Sequence, residues 1–301
     1  MKIVVCGMSG LIGRPLTTAL LQKHELVVLR RKLAPAKSAY SGREVLWNPP
    51  YLSDNWTKEI NGASAVINLS GEPIAGKHWT ADQKKELRNS RIHTTRAILA
   101  AIAQARVKPK ILINASAIGF YGPRDSTPVD ETTGGGSGFL AELCREWETE
   151  ALKAKEMGVR TALLRTGIVL AKEGGALAKI LPIFKLGAGG PLGSGKQFMS
   201  WIHIEDEVGA VVKILEDPSI EGPVNLTAPQ PVTMAQFALA LGKAVKRPAR
   251  LPVPGFVLKL LLGEMSEMLL TGQNVYPKKL TKAGFKFKYP SLEPALMELL
   301  L

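Results

Sequence analysis

Three places along the chain carry residues whose types and spacing suit chemistry. The first is Gly7-Met8-Ser9-Gly10-Leu11-Ile12-Gly13, where glycine recurs at every third position. It sits between a short apolar run and an amphipathic one, the setting of a strand-to-helix turn that holds a dinucleotide diphosphate. Gly7 permits the tight turn, Gly10 lets the backbone approach the phosphates, and Gly13 lets the helix pack on the strand. The free N–H groups and positive end of the helix then face the anion. Gly7, Gly10, Leu11, Ile12 and Gly13 are the expected phosphate contacts. The second place is Arg30-Arg31-Lys32, closing the next apolar run. An acidic residue there selects a free ribose hydroxyl, whereas guanidinium and ammonium groups suit a 2′-phosphate. The expected cofactor is therefore NADP(H).

The third place is the segment from Ser116 to Gly122 that follows the apolar run 111–115. Open α/β sheets bind ligands at the carboxyl ends of their strands, so Ser116 and Tyr121 are the catalytic candidates, for hydrogen bonding to substrate or proton relay. Tyr121 also precedes Gly122-Pro123 and suits a residue packing a turn. His203 titrates near neutrality in an ordinary setting, but its apolar neighbours suit a structural ring. Cys6 and Cys144 fall in apolar runs, as buried packing thiols do. No Cys/His cluster has ligand spacing, so no metal is expected.

Elements must position these residues. Over the first 170 residues, strand-like runs (2–6, 26–30, 63–69, 111–115) alternate with helix-like ones (11–23, 81–104). A further helix is expected at 138–157, with Gly158 as its stop, leading into a strand at 159–170. That alternation predicts an α/β fold, a doubly wound parallel sheet of Rossmann type. After Ala171 glycines crowd together, and a helix (208–215) and strand (224–226) then return to the sheet. A helical tail from Thr233 is broken by Pro248, Pro252, Pro254, Pro277 and Pro290. The expected organisation is a nucleotide-binding domain, 1–170 plus 201–227, and a smaller discontinuous cap, 171–200 plus 228–301.

The chain has 301 residues, 46% hydrophobic and 22% charged, the balance of a globular rather than a disordered protein. Residues 3–6 are apolar but glycines follow at once, so no signal-peptide core is expected. The longest greasy stretch, 256–262, is interrupted by Lys259 and falls far short of the ~20 residues of a membrane span. A reducing compartment, cytoplasm or a stroma-like one, is the natural setting. The net charge of +13 favours anionic partners. The basic residues are dispersed and accompany no nucleic-acid motif, so the expected partner is a small molecule, not nucleic acid.

The glycine loop, Asn68-Leu69-Ser70-Gly71 and Ser116-Ala117-Ile118-Gly119-Phe120-Tyr121-Gly122 together resemble the extended short-chain dehydrogenase/reductases. Trp79, Ser90-Arg91, the run 164–170, the glycine-rich 189–195 and the segment 197–206 resemble the epimerase-like atypical branch of that superfamily. Some members of the branch carry the label of a SulA-like cell-division inhibitor, and the plastid form is linked to chloroplast division. The resemblance implies that Asn68, Leu69, Ser70 and Gly71 line the adenosine and ribose side of the cofactor, with Glu86 and Arg91 reaching toward it. It also exposes a departure. The superfamily uses a Tyr-x-x-x-Lys pair on one helix, and here Phe139 and Leu143 stand at those places. The expectation is an NADP-dependent oxidoreductase or epimerase-like protein acting on a small metabolite without that pair. The alternative is a non-catalytic NADP-binding regulator, of cell or plastid division.

Overall fold

The computed structural model describes residues 1–32, 42–49 and 54–300. Among them, seven strands form one parallel sheet: β1 (Lys2–Cys6), β2 (Glu25–Arg30), β3 (Arg43–Leu46), β4 (Ala65–Asn68), β5 (Ile111–Ala117), β6 (Arg160–Thr166) and β7 (Gly222–Leu226). Their order is β7-β6-β5-β4-β1-β2-β3. The chain runs outward from β1 through β3 and then crosses back to β4. The switch point lies between β1 and β4, paired from Ile3↔Ala65 to Cys6↔Asn68, and a crevice opens there at the strands' carboxyl ends.

The strands are apolar on both sides because helices cover both faces. On one face, α1 (Gly13–Leu21) sets Leu16 and Leu20 beside Val211 and Ile214, which come from the sixth helix, Ile204–Glu216. On the other, α2 (Asp54–Ile60) and α3 (Ala81–Gln104) contribute Trp56, Ile60, Ile98 and Ile102. The residues expected as helix from Ala81 to Gln104 are helical, and Thr80 caps them by accepting from the Gln83 N–H. The third strand, Arg43–Leu46, was not foreseen: its burial alternates weakly at the sheet edge, which leaves little hydrophobic pattern to read. α4 (Phe139–Leu152) runs on as a short 3₁₀ turn to Met157 and stops at Gly158 as expected. The expected strand 159–170 is split at Gly167, whose N–H bonds Leu226 while that of Ile168 bonds Ser200. Ile168–Leu170 thereby leaves the sheet to pair with Trp201–His203.

The segment 171–200 contains α5 (Gly175–Lys185), and the tail contains α7 (Met234–Ala244), α8 (Gly255–Leu262), α9 (Glu267–Leu270), α10 (Lys278–Lys282) and α11 (Leu292–Leu300), with the sixth helix as α6. Leu177, Phe184, Trp201, Phe237, Leu241 and Leu296 share a third core. The tail does not pack as one body: Leu280, Phe285 and Phe287 join the sheet-side core of α1 and α6. Asp206 of α6 ties that return down, accepting from the N–H groups of Lys288 (2.7 Å) and Tyr289 (2.9 Å). Among the described residues no helix is long and apolar enough to cross a membrane.

One buried acid sits at this junction. Glu207 of α6 is fully buried, accepts from the Thr166 hydroxyl at 2.8 Å, and leaves its second oxygen without a partner. Burial pushes its carboxyl up to about 8, so it is neutral in the folded protein at pH 7. A carboxyl raised on folding contributes stability below its ordinary pKa of about 4.3, and that stability drains away as pH rises to about 8. The unfolding free energy of the wild type, measured by urea denaturation, is expected to fall between about pH 5 and pH 9 more steeply than that of Glu207→Gln, by roughly a few kcal/mol. Parallel profiles would show that Glu207 is not held neutral.

Candidate functional site

A cleft of about 560 Å³ opens over the carboxyl ends of β1, β4, β5 and β6, between the sheet and the helices α4 and α9. At one end lies the glycine loop. Gly7 has φ +82°, and a Cβ there would stand 2.4 Å from the Leu69 carbonyl carbon; one on Gly13 would stand 2.5 Å from the Gly7 oxygen. Neither position accepts a side chain. Gly10 is different: a Cβ there would meet nothing nearer than the Gly7 oxygen, at 3.3 Å, so its surface faces open cleft. No side chain caps the start of α1; the Arg14 N–H is taken by the Gly10 carbonyl and Pro15 has none, which leaves the N–H of Gly13 at the positive end of the helix for an anion. The shape and donors of this cradle fit a dinucleotide's phosphates.

Gly7, Gly10, Leu11, Ile12, Gly13, Leu69, Ser70, Gly71, Arg91 and Ser116 all line the cleft. Other expected contacts stand elsewhere. Asn68 is fully buried beneath the loop: its amide oxygen accepts from the Ser70 N–H (3.1 Å), and its NH₂ group donates to Asn114 (2.7 Å). It shapes residues 69–71 from below. Glu86 is exposed and outside the lining, because five residues of helix separate it from Arg91, more than a third of a turn out of phase. Arg91 itself donates to the Leu87 and Glu72 carbonyls. Arg30 is half-buried and ion-paired with Glu44 of β3 at 2.5 Å, while Arg31 and Lys32 are exposed at the end of β2.

The two catalytic candidates part company. Ser116 lines the cleft and donates its hydroxyl to Glu148 of α4 at 2.6 Å. Glu148 also receives two donors from Arg165 of β6, each at 2.8 Å, a bidentate pairing of a buried carboxyl group with a buried guanidinium. Tyr121 does not line the cleft. It ends the 3₁₀ turn Ile118–Tyr121, is fully buried, donates to Asn225 (2.7 Å) and accepts from Arg165 (3.0 Å). Burial raises its phenol further from neutrality. Tyr121, expected as a relay, thus has its hydroxyl engaged by Asn225 and Arg165 and stands outside the lining of the cleft.

The helix that would carry the proton-transfer pair presents Leu140, Leu143, Cys144 and Trp147 to the cleft, while Phe139 packs edge-on against Trp79. Burial pushes the Cys144 thiol up to about 11 and that of Cys6 to about 12, so both remain protonated. His203 lies outside the cleft, capping α6 through Nδ1 and meeting Glu298 at 2.9 Å through Nε2. Its cluster with Glu205 and Glu298 is the one grouping of potential metal ligands among the described residues, and the Glu205 carboxylate is engaged by Lys288. The sequence reading missed Thr166-Gly167, Glu148, Arg165 and Glu267. The rule that sheets bind ligands at strand ends points to the first pair; the charges carry no local pattern.

These features meet the comparisons with known proteins. Residues 3–226 match the model of the NAD dependent epimerase/dehydratase family, and residues 253–299 match a domain of unknown function, DUF1731. The chain belongs to the NAD-dependent epimerase/dehydratase family. Within the family it is 41% identical over 299 residues to the chloroplastic epimerase family protein SDR39U1 homolog of Arabidopsis thaliana, covering 98% of this chain and 86% of that protein. The crystal structure of human epimerase family protein SDR39U1 with NADPH superposes with a TM-score of 0.87 at 32% identity, covering 100% of this chain and 99% of that one. A nucleoside-diphosphate sugar epimerase from Corynebacterium glutamicum gives a TM-score of 0.80 at 29% identity, covering 100% of this chain and 58% of that one.

The network under Ser116 is testable by itself. Arg165→Met strands a buried carboxylate and is expected to cost about 3–5 kcal/mol, whereas Tyr121→Phe removes neutral and assisted hydrogen bonds for about 1–3 kcal/mol. Urea denaturation measures both; equal and negligible losses would show that the network does not hold this end of the sheet.

Proposed function

We propose that the protein binds NADPH in the cleft and works as an NADP-dependent oxidoreductase or epimerase-like enzyme on a small metabolite. The observation that carries this reading is the cradle of Gly7, Gly10 and Gly13 continuing, in one cleft, to Ser116 and an apolar wall. The human relative's crystal structure with NADPH supports it. The pyrophosphate would rest on the N-terminus of α1, and Arg31, with Arg30 and Lys32, would meet the 2′-phosphate. A bound dihydronicotinamide would supply hydride.

The chain's own part is orientation and proton handling. Leu140, Leu143 and Trp147 exclude water from the reacting end. Ser116 points its proton at Glu148 and so offers oxygen lone pairs to the cleft. In the oxidising direction, with the oxidised cofactor bound to accept the hydride from the substrate carbon, the substrate hydroxyl would give its proton to Ser116 as Ser116 passes its own to Glu148, whose partner is Arg165; reduction would run the same proton path backwards. A second reading, a non-catalytic NADP-binding regulator, draws on the apolar face of α4 and the diversion of Tyr121; a role in cell or plastid division belongs with it.

Wild type is expected to bind NADPH about 10–100-fold more tightly than NADH, the worth of one or two charge-assisted contacts. That preference should shrink in Arg30→Ala/Arg31→Ala. Equal wild-type affinities, read by quenching of tryptophan emission, would refute the NADP assignment. Substrate-dependent cofactor oxidation that falls on Ser116→Ala decides for catalysis; tight binding with no turnover across aldehydes, ketones and nucleotide sugars decides for regulation.

A further inference from the structure

Beyond Ser116 the cleft has a definite chemical character. Among the described residues lining it, Arg91 is the one cation. It lies at the glycine-loop end, where its guanidinium carbon is 3.1 Å from the place of a Cβ on Gly71. The arginines flanking the far end are spent elsewhere: Arg124 donates to the carbonyls of Tyr121 and Gly134, and Arg145 to that of Gly136. Lys84, beside α9, pairs with Glu264 at 2.5 Å. Among the described residues no free guanidinium or ammonium group lines that end for a second diphosphate, and the uncapped start of α4 there has the Glu267 carboxylate set against it, whereas two phosphate charges need cationic donors when removed from water.

What the far end does offer is acceptors. Glu267 of α9 lines the cleft, with one carboxylate oxygen 3.2 Å from the place of a Cβ on Gly138, just before α4. No hydrogen bond or ion pair among the described residues uses that carboxylate. Ser137 lines the same end, its hydroxyl without a hydrogen bond among the described residues, and Gln273 spends its NH₂ group on the Gly122 carbonyl at 2.8 Å, leaving its amide oxygen. Leu140, Phe198 and Met268 supply apolar walls. A half-buried carboxylate between apolar walls attracts a cationic donor and repels phosphate.

We infer that the substrate end takes a compact molecule with an apolar body and a basic amine that meets Glu267, and that it does not take a nucleoside diphosphate sugar. This rests on the proposal that NADPH fills the glycine-loop end. It sets the chain apart in substrate class from the nucleoside-diphosphate sugar epimerase of Corynebacterium glutamicum, with which it shares a fold.

The test uses the full chain, with NADPH binding measured first and separately. The NADPH-loaded protein is then titrated calorimetrically with phenacylamine, its uncharged isostere propiophenone, and UDP-glucose. Phenacylamine is expected to bind about 10–100-fold more tightly than propiophenone, the worth of one charge-assisted contact, with UDP-glucose giving no saturable heat. In Glu267→Gln, shown folded by a cooperative melt, the two ketones should bind alike; Glu267→Ala serves as the second variant. Saturable UDP-glucose binding, an amine preference that survives in both variants, or no binding of either ketone to the loaded protein would each overturn the inference. Failure to bind NADPH at all would instead overturn the proposed function.

Discussion

The structure depends on a negative charge finding the open start of α1. Backbone N–H groups at a helix start have no intrahelical partner, and here no side chain supplies one. What makes that end reachable is the absence of side chains at Gly7 and Gly13, where even a methyl group would collide with backbone. β1 delivers the loop, α1 carries the dipole, and Leu69 from β4 closes over it. The sheet order follows the same logic, since reversal between β1 and β4 leaves the crevice into which the loop points.

From that end the cleft changes character step by step. Ser70 and Arg91 give way to Ser116, then to the apolar face of α4, then to the acceptors of Ser137, Glu267 and Gln273. The buried Glu148–Arg165 pair links Ser116 to Tyr121 and Asn225, so the sheet floor beneath the reacting end is rigid. Such a pair adds little net stability but is costly to break, and its value here is to fix one hydroxyl. Phe139 and Leu143 stand where the superfamily has its phenol and lysine, and Leu140, Cys144 and Trp147 complete an apolar wall with Leu143. Ser116 is the cleft-lining hydroxyl that donates to the buried Glu148 carboxylate.

Legibility in the sequence tracked periodicity and turn chemistry. β1, the glycine loop, α3 and the Gly158 stop carry strong local patterns, and all stand close to their expected places. Gly167 broke an otherwise continuous apolar run, because the partner that draws Ile168–Leu170 away, Trp201–His203, lies some thirty residues on in the chain. Tyr121 looked like a ligand-facing residue from its position after β5, but a 3₁₀ turn rotated it into the core. Glu86 and Arg91 share a helix yet not a face. Glu148, Arg165 and Glu267 carry no motif; only tertiary packing makes one charge a support, another its partner and the third a lone acceptor.

Gly10 offers the most direct trial, since a Cβ there meets only the Gly7 oxygen, at 3.3 Å, a tight contact that a small shift relieves, and the rest of the side chain would fill the phosphate seat. Calorimetric titration with NADPH should show saturable one-site binding to wild type and none to Gly10→Val, while both variants melt alike. Absence of heat with the wild type, or equal affinity in Gly10→Val, would contradict the account of the glycine loop as an anion cradle.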